Sequence, residues 1–320
     1  MSEPYKTPDP HEQERNEMKD LLVSKLFPLI QEGKNTILKI FLTNNPRVAT
    51  IYSNSRQTML HVAVQSKNYE MMEFLLNLVP RRARVSSGDT FIDCRNLEGA
   101  SALMEAVKAQ DLKALRIILK HEPNFDIAEY ESKEKAIHLA ASTGNVAVMK
   151  EILNAKLKLG MPLGLEERTE KVGLAPLHLA VKEGKMDMVK YLVKLGADVN
   201  QQSTQAGKTP AMFAASNEQM EIYKYLASLP QTDLLIIDKY GRTISYYLDP
   251  QNLLEENKDN FDKVMDIISR NFNEKRANKR IEQFYKEEAG EDYDIIDMPT
   301  TVSKHKTAGK KNRSNQKIKE

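Results

Sequence analysis

The chain is poor in the residues that staple, span or catalyse. Among its 320 residues there is one cysteine, Cys94, and no tryptophan. A lone thiol cannot form an intrachain disulfide, so the fold must rest on its own core and a reducing compartment is expected. No stretch approaches 18 uninterrupted apolar residues, which excludes a membrane-spanning helix. The first twenty residues are polar and lack the apolar run of a signal peptide, so a cytoplasmic or nuclear chain is expected. Neither Gly-x-Gly-x-x-Gly nor Gly-x-x-x-x-Gly-Lys-Ser/Thr occurs, so no phosphate cradle is signalled. Net charge is only +2, too small for the whole chain to act as a polyanion binder. The charge is uneven, however. Residues 1–20 carry −3, residues 301–320 carry +6, and the remainder carries −1.

What the chain does have is self-similarity, the first thing to seek in a chain of this length. Ala175-Pro176-Leu177-His178-Leu179-Ala180 and Thr209-Pro210-Ala211-Met212-Phe213-Ala214 lie 34 residues apart. Walking both ways from Thr209 places anchors at Ser24, Thr58, Ser101, Lys135, Ala175, Thr209 and Thr243, separated by 34, 43, 34, 40, 34 and 34 residues. Each anchor leads into a short apolar helix. Eleven residues after most anchors a second helix begins, with apolar residues at i, i+3, i+4 and i+7. The expected second helices are Tyr69–Leu76, Leu112–Leu119, Val146–Leu153, Met186–Val193 and Met220–Ala227.

Two residues before an anchor stands Gly99, Gly173, Gly207 or Gly241, as a tight turn with positive φ requires. Arg56 and Lys133 take that place before Thr58 and Lys135, so looser or different turns are expected there. Pro28 falls inside the first helix and should bend it. The longer intervals place extra loops near 80–91 and 158–169.

These motifs resemble the ankyrin repeat family. Its Thr-Pro-Leu-His signature stands here as Thr-Met-Leu-His at 58–61, Lys-Ala-Ile-His at 135–138 and Ala-Pro-Leu-His at 175–178, and its Gly-Ala-Asp-Val-Asn ending is intact at 196–200. The resemblance implies an all-α ankyrin-repeat solenoid of stacked helix-turn-helix units with β-hairpin-like loops. It covers about residues 18–272, in about seven repeats with the first and last irregular. A disordered polar N-terminus (1–17), a possible helix and acidic linker (273–299) and a disordered basic tail (300–320) complete the expected organisation. A single repeat cannot bury its own apolar face, so stability comes from stacking.

Chemistry is not signalled. Two ligands of one zinc must bring their nitrogens within about 3–4 Å of each other. The signature histidines His61, His138 and His178 lie on different repeats, about 10 Å or more apart at ordinary helix spacing. Each is read as pinning one repeat to the next. Cys94 has no histidine near it in sequence and is read as a partly buried thiol. No enzyme activity, no cofactor and no metal are expected.

The resemblance implies a protein-binding scaffold, adaptor or inhibitor. Partner contacts in such stacks come from the hairpin tips and the exposed end of the first helix. Here those positions single out Gln57, Leu97, Glu98, Lys108, Lys171, Val172, Leu174, Lys182, Lys208, Tyr240 and Arg242. Leu97, Val172, Leu174 and Tyr240 are the apolar ones, hence candidate anchors. Lys108, Lys171, Lys182 and Lys208 form a basic stripe around Leu174, which implies an acidic partner surface. The partner is a protein, and the chain is expected to be a monomer without membrane contact.

Irregular stacks with charged tails also resemble the inhibitors of NF-kappa-B-type transcription factors, although the closely spaced N-terminal serines of that group are missing. A C-terminal SOCS box is not matched either, since it uses a cysteine near the C-terminus. Leu192, Asp198, Val199 and Asn200 fit the Leu-x5-Asp-Val-Asn pattern of substrates of the ankyrin asparaginyl hydroxylase, with Asn200 as acceptor. The alternative is that Asp198 and Asn200 only shape the turn. For the tail, Lys310-Lys311-Asn312-Arg313 reads first as part of a solvated tail and second as a nuclear import signal or weak nucleic-acid patch. A nuclear, nucleic-acid-associated regulator acting through that tail is the alternative function.

Overall fold

Three of the second helices start where a side chain closes them. Asn68 Oδ1 accepts the N–H of Met71, Asp111 Oδ1 those of Lys113 and Ala114, and Asn145 Oδ1 those of Ala147 and Val148. These caps satisfy backbone donors that a helix start leaves open. The first helices open on Thr58, Ser101, Lys135, Ala175, Thr209 and Thr243 in extended conformation. Six of the seven anchors are therefore helix N-caps. In two of them Pro176 and Pro210 occupy the first helical turn, where a missing N–H costs nothing.

The computed structural model describes residues 10–248, apart from 82, 86 and 87. Its helices in chain order are α1 (Pro10–Gln31), α2 (Asn35–Asn44), α3 (Met59–Gln65), α4 (Tyr69–Leu78), α5 (Ala102–Lys108), α6 (Leu112–Leu119), α7 (Ala136–Thr143), α8 (Val146–Lys158), α9 (Pro176–Lys182), α10 (Met186–Lys194), α11 (Pro210–Ser216), α12 (Met220–Ser228) and α13 (Ile244–Tyr247), with a 3-10 turn at Pro46–Thr50. The backbone divides after Asn271 into two units, and every described residue lies in the first.

The odd-numbered helices pack on one another in sequence order, α1 on α3 through to α11 on α13, and form an inner layer. The even-numbered helices from α2 to α10 form the outer layer. An inner helix is enclosed by two inner neighbours and its own outer helix, which is why Met59–Val64, Ala136–Ala141 and Pro176–Val181 are buried along their whole length. An outer helix has one free side and buries only a stripe, such as Met188, Val189 and Leu192 on α10. The apolar side chains of all repeats join into one continuous core.

Three expectations are corrected. Ser24 opens no helix. It lies inside the 22-residue α1, where its hydroxyl donates to the Leu21 carbonyl. The helix starts at Pro10, within the segment expected to be disordered, and continues past Pro28 to Gln31. Arg56 and Lys133 do not loosen their turns: at φ 57° and 58° they adopt the left-handed conformation that Gly99, Gly173, Gly207 and Gly241 adopt elsewhere. The extra loop at 80–91 is present and folded on itself. Val85 N–H donates to the Asp89 carbonyl and Phe91 N–H to that of Ala83, closing a small hairpin whose Val85 and Phe91 are buried. The rest of the irregular last repeat, the acidic linker and the basic tail lie outside the described residues.

Candidate functional site

The signature histidines take a structural role, and their protonation state follows from geometry. Nδ1 of His61 accepts the N–H of Thr58, that of His138 the N–H of Lys135, and that of His178 the N–H of Ala175. A nitrogen that accepts carries no proton, so Nε2 holds it. Nε2 then donates across the repeat boundary, to the carbonyls of Ala100, Glu167 and Lys208 respectively. Each neutral ring thus closes its own turn and grips the next repeat. Burial lowers all three pKa values, to about 4 for His61 and His178, against the smaller raising effect of the accepting carbonyls. Among the described residues no group of three or more His, Cys, Asp and Glu side chains is placed to hold a metal. Cys94 is buried.

The hairpin tips form rows. Leu97 N–H donates to the Ser55 carbonyl, and Tyr130 N–H to that of Glu98, tying the tips of repeats two, three and four. Gln205 N–H donates to Val172 and Lys239 N–H to Ala206, tying five, six and seven. Among the described residues no backbone hydrogen bond joins tip four to tip five. The close stacking explains Gly99, Gly173 and Gly207. A Cβ on Gly99 would come 2.5 Å from the Tyr130 nitrogen, and one on Gly173 1.9 Å from Thr204 Oγ1.

Besides the His138 bond, repeats four and five are joined by a charged clamp that the sequence did not reveal. Lys156, buried on α8, puts Nζ 3.0 Å from Glu167 Oε1, while Lys135 Nζ lies 2.9 Å from Glu167 Oε2 and from Asp126 Oδ1. Glu167 belongs to the 158–169 insertion, so the insertion is clipped onto the stack. The ion pairs lower the Glu167 pKa although its burial would raise it.

The eleven predicted contact residues are spread along the tips and inner-helix ends of repeats two to seven. Leu97 and Tyr240 are exposed, at 61% and 69%. Leu174 is not: at 6% exposure it is core, and Val172 packs against that core half-buried. The reason is that the turn before Ala175 folds Leu174 N–H back onto the Thr169 hydroxyl. The basic stripe is also divided. Lys108 is neutralised by Glu98 and Glu129, and Lys182 lies 3.8 Å from Glu183. Among the described residues Lys171 and Lys208 form no ion pair, nor do Arg168 and Lys239. Gln57 is half-buried, its N–H bonded to Ser53 Oγ. Asn200 bridges repeats, its amide donating to the Gln231 carbonyl and accepting the Asp233 N–H.

Tip seven has its own construction. Asp238 Oδ1 accepts the N–H groups of Tyr240 and Arg242, and Oδ2 accepts the Tyr247 hydroxyl and the Arg242 Nε–H. Burial would raise the Asp238 pKa, but these donors hold it at about 2. The Arg242 guanidinium lies 4.6, 4.9 and 5.1 Å from the ring centroids of Tyr240, Tyr246 and Tyr247. An open polar groove of 570 Å³ runs beside the 80–91 insertion, past Arg84, Tyr130 and Lys133.

A two-layer stack of helix pairs joined by outward hairpins, with three boundaries pinned by an imidazole, is an all-α ankyrin solenoid. The family model for ankyrin repeats matches three copies, over residues 103–203 and 163–238, and that stretch is built of ankyrin repeats. Its described part is similar to the ankyrin repeat domain of Bcl-3, whose structure is titled a unique member of the IkappaB protein family. The two superpose with a TM-score of 0.60 at 20% identity, covering 76% of this chain and 97% of that one. The human ASB11 ankyrin repeat domain follows with 0.52 at 19%, covering 70% and 90%. In sequence the chain is 22% identical over 210 residues to the nuclear factor NF-kappa-B p105 subunit of Gallus gallus, which is 63% of this chain and 20% of that protein. It is 26% identical over 215 residues to the E3 ubiquitin-protein ligase XBAT32 of Arabidopsis thaliana, 60% of this chain and 40% of that one. The chain thus spans well under half of these relatives. Among the described residues no helix is long and apolar enough to cross a membrane.

Proposed function

We propose that the chain is a non-catalytic protein–protein interaction scaffold, an adaptor or inhibitor that binds a protein partner on the hairpin tips and concave face of the stack. One observation carries this reading. The tips are tied into rows by backbone hydrogen bonds, yet they present the large apolar side chains of Leu97 and Tyr240 to solvent. Such residues gain nothing in the free chain, and rigid support lowers the entropy cost of using them in a complex. The relatives share this stretch while their names differ widely, which favours binding as the common element over any one relative's activity. In this reading the repeat domain extends to residue 272, the chain is a cytoplasmic or nuclear monomer, and no cofactor enters. Leu174 and Val172 leave the contact set, which retains Gln57, Leu97, Glu98, Lys108, Lys171, Lys182, Lys208, Tyr240 and Arg242.

The test is affinity purification of the intact chain with mass spectrometry, repeated with Leu97→Asp and Tyr240→Asp. A protein recovered with the parent chain and lost with either variant, at an unchanged unfolding midpoint, supports the reading. Equal recovery with both variants refutes it. The +6 charge of residues 301–320 supports a second reading, a nucleic-acid-associated nuclear regulator. Its signature is binding that falls steeply with salt and vanishes on deletion of 301–320.

A further inference from the structure

The two halves of the tip row differ in charge. In repeats three and four two cations are matched, Lys108 by Glu98 and Glu129 and Lys135 by Asp126 and Glu167, and the tips also carry Glu131 and Glu134. In repeats five to seven, Arg168, Lys171, Lys208 and Lys239 form no ion pair among the described residues. Lys208 Nζ lies over the rings of Phe213, at 5.6 Å, and Tyr247, at 4.5 Å. Lys239 Nζ donates to a carbonyl, that of Thr204. The carboxylate acting on Lys208, Asp238, is buried and spent on Arg242 and Tyr247.

Asp238 also rigidifies the tip. Asn96 closes tip three in the same way, accepting the N–H groups of Glu98 and Ala100, but an amide carries no charge and fixes no cation. At tip seven the carboxylate locks Arg242, and Arg242 in turn props the rings of Tyr240 and Tyr246, which is 50% exposed. Leu235 and Ile237, on the arm leading to the same tip, are exposed as well. Their counterparts one repeat earlier are Asn200 and Gln202, both polar and both hydrogen-bonded to the following repeat.

We infer that tip seven, with Tyr240 propped on Arg242 and Lys208 beside it, is an anchor site for an acidic segment of a partner protein that also carries aliphatic side chains. The inference rests on the scaffold reading and names the partner's chemistry. Unpaired cations attract carboxylates and set association rate and register. A tyrosine held beside an arginine supplies contact area with little rotamer entropy left to lose. Leu235 and Ile237 match aliphatic groups, which a sugar–phosphate backbone lacks, and this favours a peptide over nucleic acid.

The experiment is selection of phage-displayed random peptides on the full chain. A recovered peptide is then labelled with fluorescein and titrated by anisotropy. Expected are sequences rich in Asp and Glu together with Leu, Ile or Val. Tyr240→Ala should weaken their binding at least ~10-fold, as a buried anchor would. Lys208→Gln should weaken it about three-fold and flatten its salt dependence. Leu97→Ala should change neither, and Tyr240→Ala, on an exposed ring, should leave the urea midpoint in place. Recovery of no peptide, or of peptides without acidic enrichment, overturns the inference. Binding that falls with Leu97→Ala but not with Tyr240→Ala overturns it while the scaffold reading stands. Tyr240-dependent binding of an oligothymidylate in preference to every peptide overturns both.

Discussion

Acidification should loosen the stack through its buried imidazoles, and the structure sets the size of the effect. In the folded chain His61 and His178 titrate near 4, against 6.5 when solvated. Between those values the unfolded chain binds protons that the folded chain refuses, so stability rises with pH there. The contribution is present in full above about 6.5 and is lost as pH falls toward 4. Each ring tops out near ~3 kcal/mol, and between pH ~7 and ~5 the loss is about 1.8 kcal/mol per ring, or roughly 3.5 for the pair. His138, also lowered by burial, adds in the same sense. Glu134, raised first by burial and next by Glu129, works the opposite way. Asp238, held at about 2, does not titrate in this window. The assay is urea unfolding followed by circular dichroism across this range. The comparison chain is His61→Met with His178→Met, because Met104 and Met212 fill the equivalent place in repeats three and six. The double variant should be less stable at neutral pH, having lost the grips on Ala100 and Lys208, and should show most of the slope removed. A double variant that keeps the full pH slope refutes the assignment of these rings as the titrating groups.

Leu177, 1% exposed between inner helices, should cost about 2–5 kcal/mol on truncation to Ala; a urea midpoint shift worth less than ~0.5 kcal/mol would show that the boundary is not packed as described. Lys133→Gly should raise the melting temperature, relieving a left-handed residue by up to ~1 kcal/mol, because no backbone bond draws tip five against it; an unchanged or lower melting temperature counts against that strain. Glu167→Ala should cost about 3 kcal/mol by stranding buried Lys156, whereas the additional change Lys156→Met should recover much of the loss; a double variant no more stable than the single one would deny the clamp. Asn200, if it is an acceptor of the asparaginyl hydroxylase, should gain one oxygen when both proteins are co-expressed, read by peptide mass spectrometry; an unmodified peptide leaves it as the bridge to Gln231 and Asp233.

The sequence by itself determined the repeat. Spacing of 34 residues, apolar residues at helical period and a glycine before most anchors are local, repeated signals, and their redundancy placed six N-caps and the starts of five outer helices. It also assigned the histidines correctly, since their separation along the chain already rules out a shared ion. Two kinds of feature escaped it. The first are irregular ends and insertions: α1 runs through Ser24 because nothing local stops it, and the 80–91 and 158–169 segments have no second copy to be read against. The second are partnerships between distant residues. Exposure of Leu174 was inferred from its place near a tip, but the fold back onto Thr169 buries it. The Lys156–Glu167–Lys135 clamp joins groups from three elements, and the Asp238 carboxylate gains its role only because Arg242 and Tyr247 converge on it. Periodicity records which face of a helix is apolar. Which tip carries unmatched charge depends on where each long side chain ends, and only the tertiary structure sets that.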